Sequence, residues 1–128
     1  MSEKKPKILM IEEDHFLRKI YRDKLSRSGF EFFEATNGEE GLNKIIAERP
    51  DIVLLDLILP RKNGFDVLVD MKSNKNTENI PVIILSNLGQ ESDIQRGLAL
   101  GAKDYLVKTE VSLSGVVEKA KEQLVRAR

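Results

Sequence analysis

The sequence predicts an α/β fold: one doubly wound, five-stranded parallel sheet with helices on both faces. Two observations predict it. Short apolar runs alternate with helix-period stripes five times along 128 residues. Strands alternating with helices are joined by right-handed crossovers, which put helices on both faces of a parallel sheet. The strand runs are also apolar throughout, as in strands buried on both sides. A third observation bears on function. Four of the five runs end in a charged or hydroxylic residue, and a doubly wound sheet binds its ligand outside the carboxyl ends of its strands.

Residues 1–6 read as a charged, frayed start. Lys7-Ile8-Leu9-Met10-Ile11 is the first strand, followed at once by Glu12, Glu13 and Asp14. Asp14 suits the N-cap of a helix beginning near His15, whose stripe is Phe16, Leu17, Ile20, Tyr21 and Leu25. Gly29 closes that helix. Residues 30–35, rich in phenylalanine, make the second strand, and Thr36-Asn37-Gly38 is a turn. A second helix turns Leu42, Ile45 and Ile46 inward and stops before Pro50, although Gly41 costs it about 1 kcal/mol against alanine. Residues 51–55 form the third strand, which Pro60 and Gly64 terminate. A short third helix spans residues 64–72, with Phe65, Leu68 and Met71 on one side, and residues 73–79 are polar loop. Residues 80–85 form the fourth strand, with Pro81 at its entry. The fourth helix carries Ile94 and Leu98 and ends at Gly101. Residues 103–107 form the fifth strand. The last helix shows the stripe Leu113, Val116, Val117, Ala120 and Leu124, with Arg126 and Arg128 matched to its C-terminal dipole.

Bulk composition narrows the function. The length suits one domain, residues 1–128, with a real core, and a 41% hydrophobic content excludes a disordered chain. Twenty-one basic and 21 acidic residues cancel, so no nucleic-acid footprint is expected. With no cysteine and one histidine, thiolate chemistry and multi-histidine metal sites are excluded. No apolar run reaches membrane-span length, no signal peptide is visible, and the lack of disulfides fits a cytoplasmic location.

Asp56 lies where the buried third strand becomes loop. A carboxylate there is costly unless a cation or donors satisfy it. The other strand ends supply such partners: Glu12 and Glu13 after strand one, Ser86 after strand four and Lys108 after strand five. Strand two ends in Ala35 and Thr36, so it should lie away from the site. Carboxylates without nitrogen or sulfur ligands make a hard oxygen site suited to Mg²⁺. Lys108 offers a point charge for a phosphate or for Asp56, and the Ser86 hydroxyl can donate to a phosphoryl oxygen. Asp56 is then the nucleophile for a phosphoryl group, giving an acyl phosphate.

These residues carry a resemblance. The runs Lys7 to Glu13, Asp56 with Pro60 and Gly64, Pro81 to Ser86, and Gly101-Ala102-Lys103-Asp104-Tyr105-Leu106-Val107-Lys108 resemble, in order and spacing, the response-regulator receiver domains of two-component signalling, the CheY-like proteins. The resemblance covers nearly the whole chain. It implies the flavodoxin-like strand order 2-1-3-4-5. It further implies that Asp56 accepts a phosphoryl group from a sensor histidine kinase or phosphotransfer protein. Glu12, Glu13, Asp56 and the Ile58 carbonyl would gather Mg²⁺, Lys108 would hold phosphoryl oxygens, and Ser86 would follow the phosphate. Tyr105 would swing inward behind Ser86 and alter the face formed by helix four, strand five and helix five, where a downstream protein or a second copy docks. The chain would act as monomer or weak homodimer, without direct nucleic-acid or membrane contact. It would be no enzyme beyond its own phosphorylation and dephosphorylation. With nothing after the last helix, a stand-alone receiver is expected.

Three departures from the family pattern set further expectations. Glu13 stands where aspartate is usual, so Mg²⁺ binding should weaken or draw in Asp14. Thr109 replaces the proline after Lys108, so a trans bond or a strained one, and a differently set loop, are expected, because a non-proline cis bond costs about 3–4 kcal/mol. Asn87 replaces a very small residue and, flanked by Ile58 and Leu88, should narrow the approach to Asp56 and slow phosphoaspartate hydrolysis. Plainer roles exist: Asp56 as a turn cap, Glu12 and Glu13 as solvated acids at a helix start, Ser86 as a turn serine, Tyr105 as a half-buried strand residue. His15 has no assigned role. Among other functions, a haloacid-dehalogenase-like phosphatase would want a second aspartate at Ile58, and a flavodoxin-type flavin site would find phosphate repelled by Glu12 to Asp14. A phosphorylation-independent protein-binding module is the remaining alternative.

Overall fold

The computed structural model describes residues 4–127. Met1 to Glu3 of the expected frayed start, and Arg128, expected to assist the last helix, lie outside the described residues. Ten elements follow one another: β1 (Lys7–Ile11), α1 (His15–Arg27), β2 (Glu31–Ala35), α2 (Gly38–Glu48), β3 (Ile52–Leu55), α3 (Gly64–Lys72), β4 (Val82–Ser86), α4 (Glu91–Ala99), β5 (Asp104–Val107) and α5 (Leu113–Arg126). All strand pairs are parallel, in the order β2-β1-β3-β4-β5. Among the described residues, no helix is long and apolar enough to cross a membrane.

Strand side chains alternate between two cores. Leu9, Ile11, Val53, Leu55, Val82, Ile84, Tyr105 and Val107 face one side, packing with Ile45, Phe65, Leu68 and Met71. Ile8, Met10, Ile52, Leu54, Ile83, Leu85 and Leu106 face the other, with Tyr21, Leu25, Val116, Val117 and Ala120. Phe33 joins the first core, Phe32 and Phe30 the second. The apolar strand runs are therefore a consequence of two buried faces.

Side chains set where four helices begin. Asp14, Asn37, Asn63 and Ser112 each accept a backbone N–H of the first turn: Leu17, Glu40, Asp66 and Gly115. Each satisfies one of the unpaired N-terminal donors. Gln90, before α4, makes no such bond, and Gly97 is the only buried residue of that helix. Gly41 weakens α2 in isolation, but a Cβ there would lie 2.5 Å from Ile11 Cδ1, so the glycine lets α2 approach β1.

Several inward assignments need correction. Phe16 and Ile20 are 76% and 50% exposed. The buried arc of α1 runs through Arg18, Tyr21 and Leu25, one step round the helix. Ile46 and Leu98 are likewise exposed. In each case the apolar stripe is wider than the strip the sheet covers, and exposed single apolar residues are ordinary. Strands β2, β3 and β5 begin one residue later than expected and β4 two later; β4 also takes in Ser86.

Candidate functional site

Parallel pairing fixes which strand ends meet. Ile11 lies opposite Leu55, so Glu12 and Asp56 emerge side by side, and the Asp56 N–H donates to Ile11 O at 3.1 Å. Ser86 lies opposite Val107, and the Lys108 N–H donates to Ser86 O at 2.9 Å. The backbone thus starts Lys108 beside the end of β4, and its side chain crosses to the acids of β1 and β3.

Lys108 Nζ lies 2.6 Å from Glu12 Oε1 and 3.0 Å from Asp56 Oδ2. It donates a hydrogen bond to Asp56 Oδ2. The shorter contact, with Glu12, is a close ion pair to a buried oxygen that has no well-aligned hydrogen-bond partner. The other Glu12 oxygen accepts the Asp14 N–H at 3.0 Å, and Asp56 Oδ1 accepts the Ile58 N–H at 3.3 Å. Glu12 is 2% and Asp56 7% exposed, so both carboxylates depend on these partners. Burial pushes the Glu12 carboxyl above its ordinary range, against the opposing pull of Lys108. For Lys108, burial works to lower the ammonium's affinity for its proton, but Glu12 and Asp56 outweigh it and the net shift is upward.

An open cleft above this triad is lined by Glu12, Glu13, Asp14, Asp56, Ile58, Asn87 and Lys108. Glu13 and Asp14 are exposed, and Asp14 Oδ1 is engaged in capping α1. Ile58, 56% exposed, and Asn87 stand at the opening as expected. Leu88 does not: it is absent from the cleft lining and packs against the first core. Ser86 is fully buried and lies outside the cleft lining, its Oγ accepting the Leu88 N–H at 3.4 Å. Tyr105 is buried inward, its hydroxyl donating to Leu88 O at 2.5 Å, and burial raises that hydroxyl to about 12. Leu88 therefore links Ser86 and Tyr105 through its two peptide groups. Among the described residues no peptide bond is cis, so Lys108–Thr109 is trans, and the Glu110 N–H closes a turn onto Val107 O at 2.9 Å.

Two contributors escaped the sequence reading. Arg18, on the buried side of α1, donates from Nη1 to the carbonyl oxygens of Glu12 and Glu13. Glu34 of β2 holds Arg18 Nε at 2.9 Å. The edge strand expected to lie away from the site thus reaches it indirectly. Arg18 falls three and seven residues before Tyr21 and Leu25, a charge on the inward face, and that position was the available signal.

The donor set suits a hard divalent cation by chemistry. It is all oxygen, and one buried Glu12 oxygen lacks an aligned donor. The described residues hold no preformed cluster of three or more metal-binding side chains; the Lys108 ammonium sits between the two buried acids instead. Chemically the arrangement provides a carboxylate at a cleft floor, a fixed positive charge beside it and further acids at the rim.

A family model described as the response regulator receiver domain matches residues 8–120. Among curated proteins, the chain is similar to the "Probable transcriptional regulator ycf27" of Guillardia theta, 38% identical over 106 residues, 83% of this chain and 41% of that protein. It is also similar to the "Phosphate regulon transcriptional regulatory protein PhoB" of Rhizobium meliloti, 34% identical over 123 residues, 96% of this chain and 54% of that protein. The chain thus spans about half the length of the curated relatives it matches. Among solved structures, the receiver domain of the Francisella response regulator 1452 superposes with a TM-score of 0.89 at 28% identity, covering 96% of this chain and 99% of that one.

Proposed function

The chain belongs to the response-regulator receiver family of two-component systems, and on that premise we propose that Asp56 is its phosphoacceptor. Receivers of this kind interact with histidine kinases, so the donor is a sensor kinase's phosphohistidine or that of a phosphotransfer protein. An Asp56 oxygen forms the new O–P bond, the P–N bond breaks, and its electron pair leaves with the imidazole. Phosphoryl transfer asks mainly for positioning and charge neutralisation. Lys108 supplies a charge already within 3.0 Å of the acceptor carboxylate, and this is the observation that carries the reading.

Receiver domains generally bind Mg²⁺ at the phosphorylation site. Here Glu12, Glu13, Asp56 and the Ile58 carbonyl would hold it, and the ion would neutralise charge on phosphoryl oxygens. Ser86, now buried, would follow the phosphoryl group, and Leu88 would carry that movement to Tyr105. The face of α4, β5 and α5 would then change for a downstream protein. The chemistry is confined to the chain's own phosphorylation and dephosphorylation. Asn87 and Ile58 at the opening hinder water, so the phosphorylated form lasts well beyond a few seconds.

Incubation with Mg²⁺ and acetyl phosphate is expected to add one phosphoryl group to the intact mass of the wild type and none to Asp56→Asn. No addition, or addition that survives the substitution, would reject Asp56 and leave a receiver that works by binding alone.

A further inference from the structure

We propose that Arg18 is a positioning residue for the Glu12–Glu13 pair, anchoring the end of β1 to the edge strand β2 so that both carboxylates are presented to a divalent cation. The proposal rests on the reading of that pair as Mg²⁺ ligands. Arg18 Nη1 donates to Glu12 O and Glu13 O, each at 2.8 Å. Its Nε donates to Glu34 Oε1 at 2.9 Å. Glu34 is itself gripped by Arg22, whose Nε and Nη2 donate to Oε2 at 3.0 and 2.7 Å, and its carbonyl accepts the Lys44 ammonium. One guanidinium therefore joins β1, α1 and β2.

Burial of this arginine needs a reason. Arg18 is 8% exposed, uncommon for a residue type that is seldom buried unless paired. It does not line the acid cleft, so it does not meet a ligand there. Instead it fixes two successive peptide planes, and those planes aim the Cα–Cβ bonds of Glu12 and Glu13. Aim matters more here than with aspartates, because each glutamate adds a rotatable bond whose freedom must be lost on binding. Lysine is a poor substitute: its three donors share one nitrogen and cannot span a carboxylate on one side and two carbonyls on the other.

The test is a Mg²⁺ titration followed by the backbone amide resonances of Glu12, Glu13 and Asp14. Arg18→Met is expected to weaken Mg²⁺ about tenfold, as loss of an outer-shell partner commonly does. Arg18→Lys recovers only part of that. Glu34→Gln, which loosens the remote anchor and leaves Arg18 in place, is expected to weaken Mg²⁺ about threefold, below the same range. Val116→Ala lowers stability from the core without touching the pair, and its Mg²⁺ affinity stays at the wild-type value. Arg18→Met and Glu34→Gln both binding as the wild type does would overturn the proposal while the metal reading stands. Val116→Ala weakening Mg²⁺ as much as Arg18→Met would also overturn it, because the loss would then reflect general loosening. A wild type with no saturable Mg²⁺ shift at these amides overturns the metal reading and this proposal with it.

Discussion

Replacing Lys108 with methionine is expected to lower the free energy of unfolding by about 3 kcal/mol at pH 7 in metal-free buffer, the low end for breaking a buried ion pair by removing one partner. Methionine keeps much of the length but leaves Glu12 and Asp56 facing each other with no cation between them. Both are nearly inaccessible, so solvent cannot screen them. The deficit depends on pH, and its sign follows from Glu12. Burial raises that carboxyl above its ordinary 4.5 in the folded chain. A group raised on folding contributes stability that is fully present below its unfolded value and is lost as pH rises through the folded value. Lys108 opposes that rise, so its removal widens the gap, and the deficit opens between pH 4.5 and neutrality. The lysine's own folded value is raised above 10.5; its contribution in the wild type therefore persists through neutrality and disappears only as pH climbs past that raised value. Urea unfolding at pH 4 and pH 7 checks this: a small loss at pH 4 and a large one at pH 7 are expected, and equal losses would refute it.

Gly64→Ala is expected to destabilise the fold by about 3 kcal/mol, the upper part of the range for overpacking. It should also slow modification by acetyl phosphate about a hundredfold, as a displacement near 1 Å can do. A Cβ at Gly64 would stand 2.3 Å from Asp56 O and 2.6 Å from Leu57 Cα. Both are backbone atoms and cannot turn away. The Gly64 N–H already donates to Leu57 O at 2.9 Å, so the loop is pinned to the end of β3 at the point of collision. Relief must come from moving Asp56, which pulls its carboxylate from the Ile58 N–H and the Lys108 ammonium. Thermal unfolding and phosphorylation rate are both read; a variant with wild-type values for each would show that the loop yields elsewhere.

The rim of the sheet was legible in the sequence because parallel strands of similar length end together. Once five apolar runs are recognised, the residue after each falls on one edge, and Glu12, Asp56 and Lys108 meet there. Depth was not legible. Ser86 reads as the first loop residue, yet β4 keeps it in the ladder opposite Val107 and closes it off from the cleft. Whether a side chain lines a cleft or lies beneath it depends on how the next loop lies, which no spacing records. Helix periodicity gave a direction for each stripe but not a width, and so Phe16, Ile20, Ile46 and Leu98 were turned the wrong way. Arg18 was missed for the opposite reason: its partners are two carbonyls and an acid on a strand 16 residues away, and main-chain acceptors leave no mark on composition.

Helix α4 differs from the other four in having no side-chain cap and only a glycine buried. A segment held mainly by Ile94 against the first core and by Arg96 over the Phe65 ring opens at lower free-energy cost than strands packed on both faces, which open only with the whole domain. In hydrogen exchange, the amides of α4 will trade with solvent well before those of β1 or β3. The Tyr105 ring lies against that helix at Gly97, so lifting this one segment would rearrange the surface around it and uncover a margin of the first core while the second stays shut.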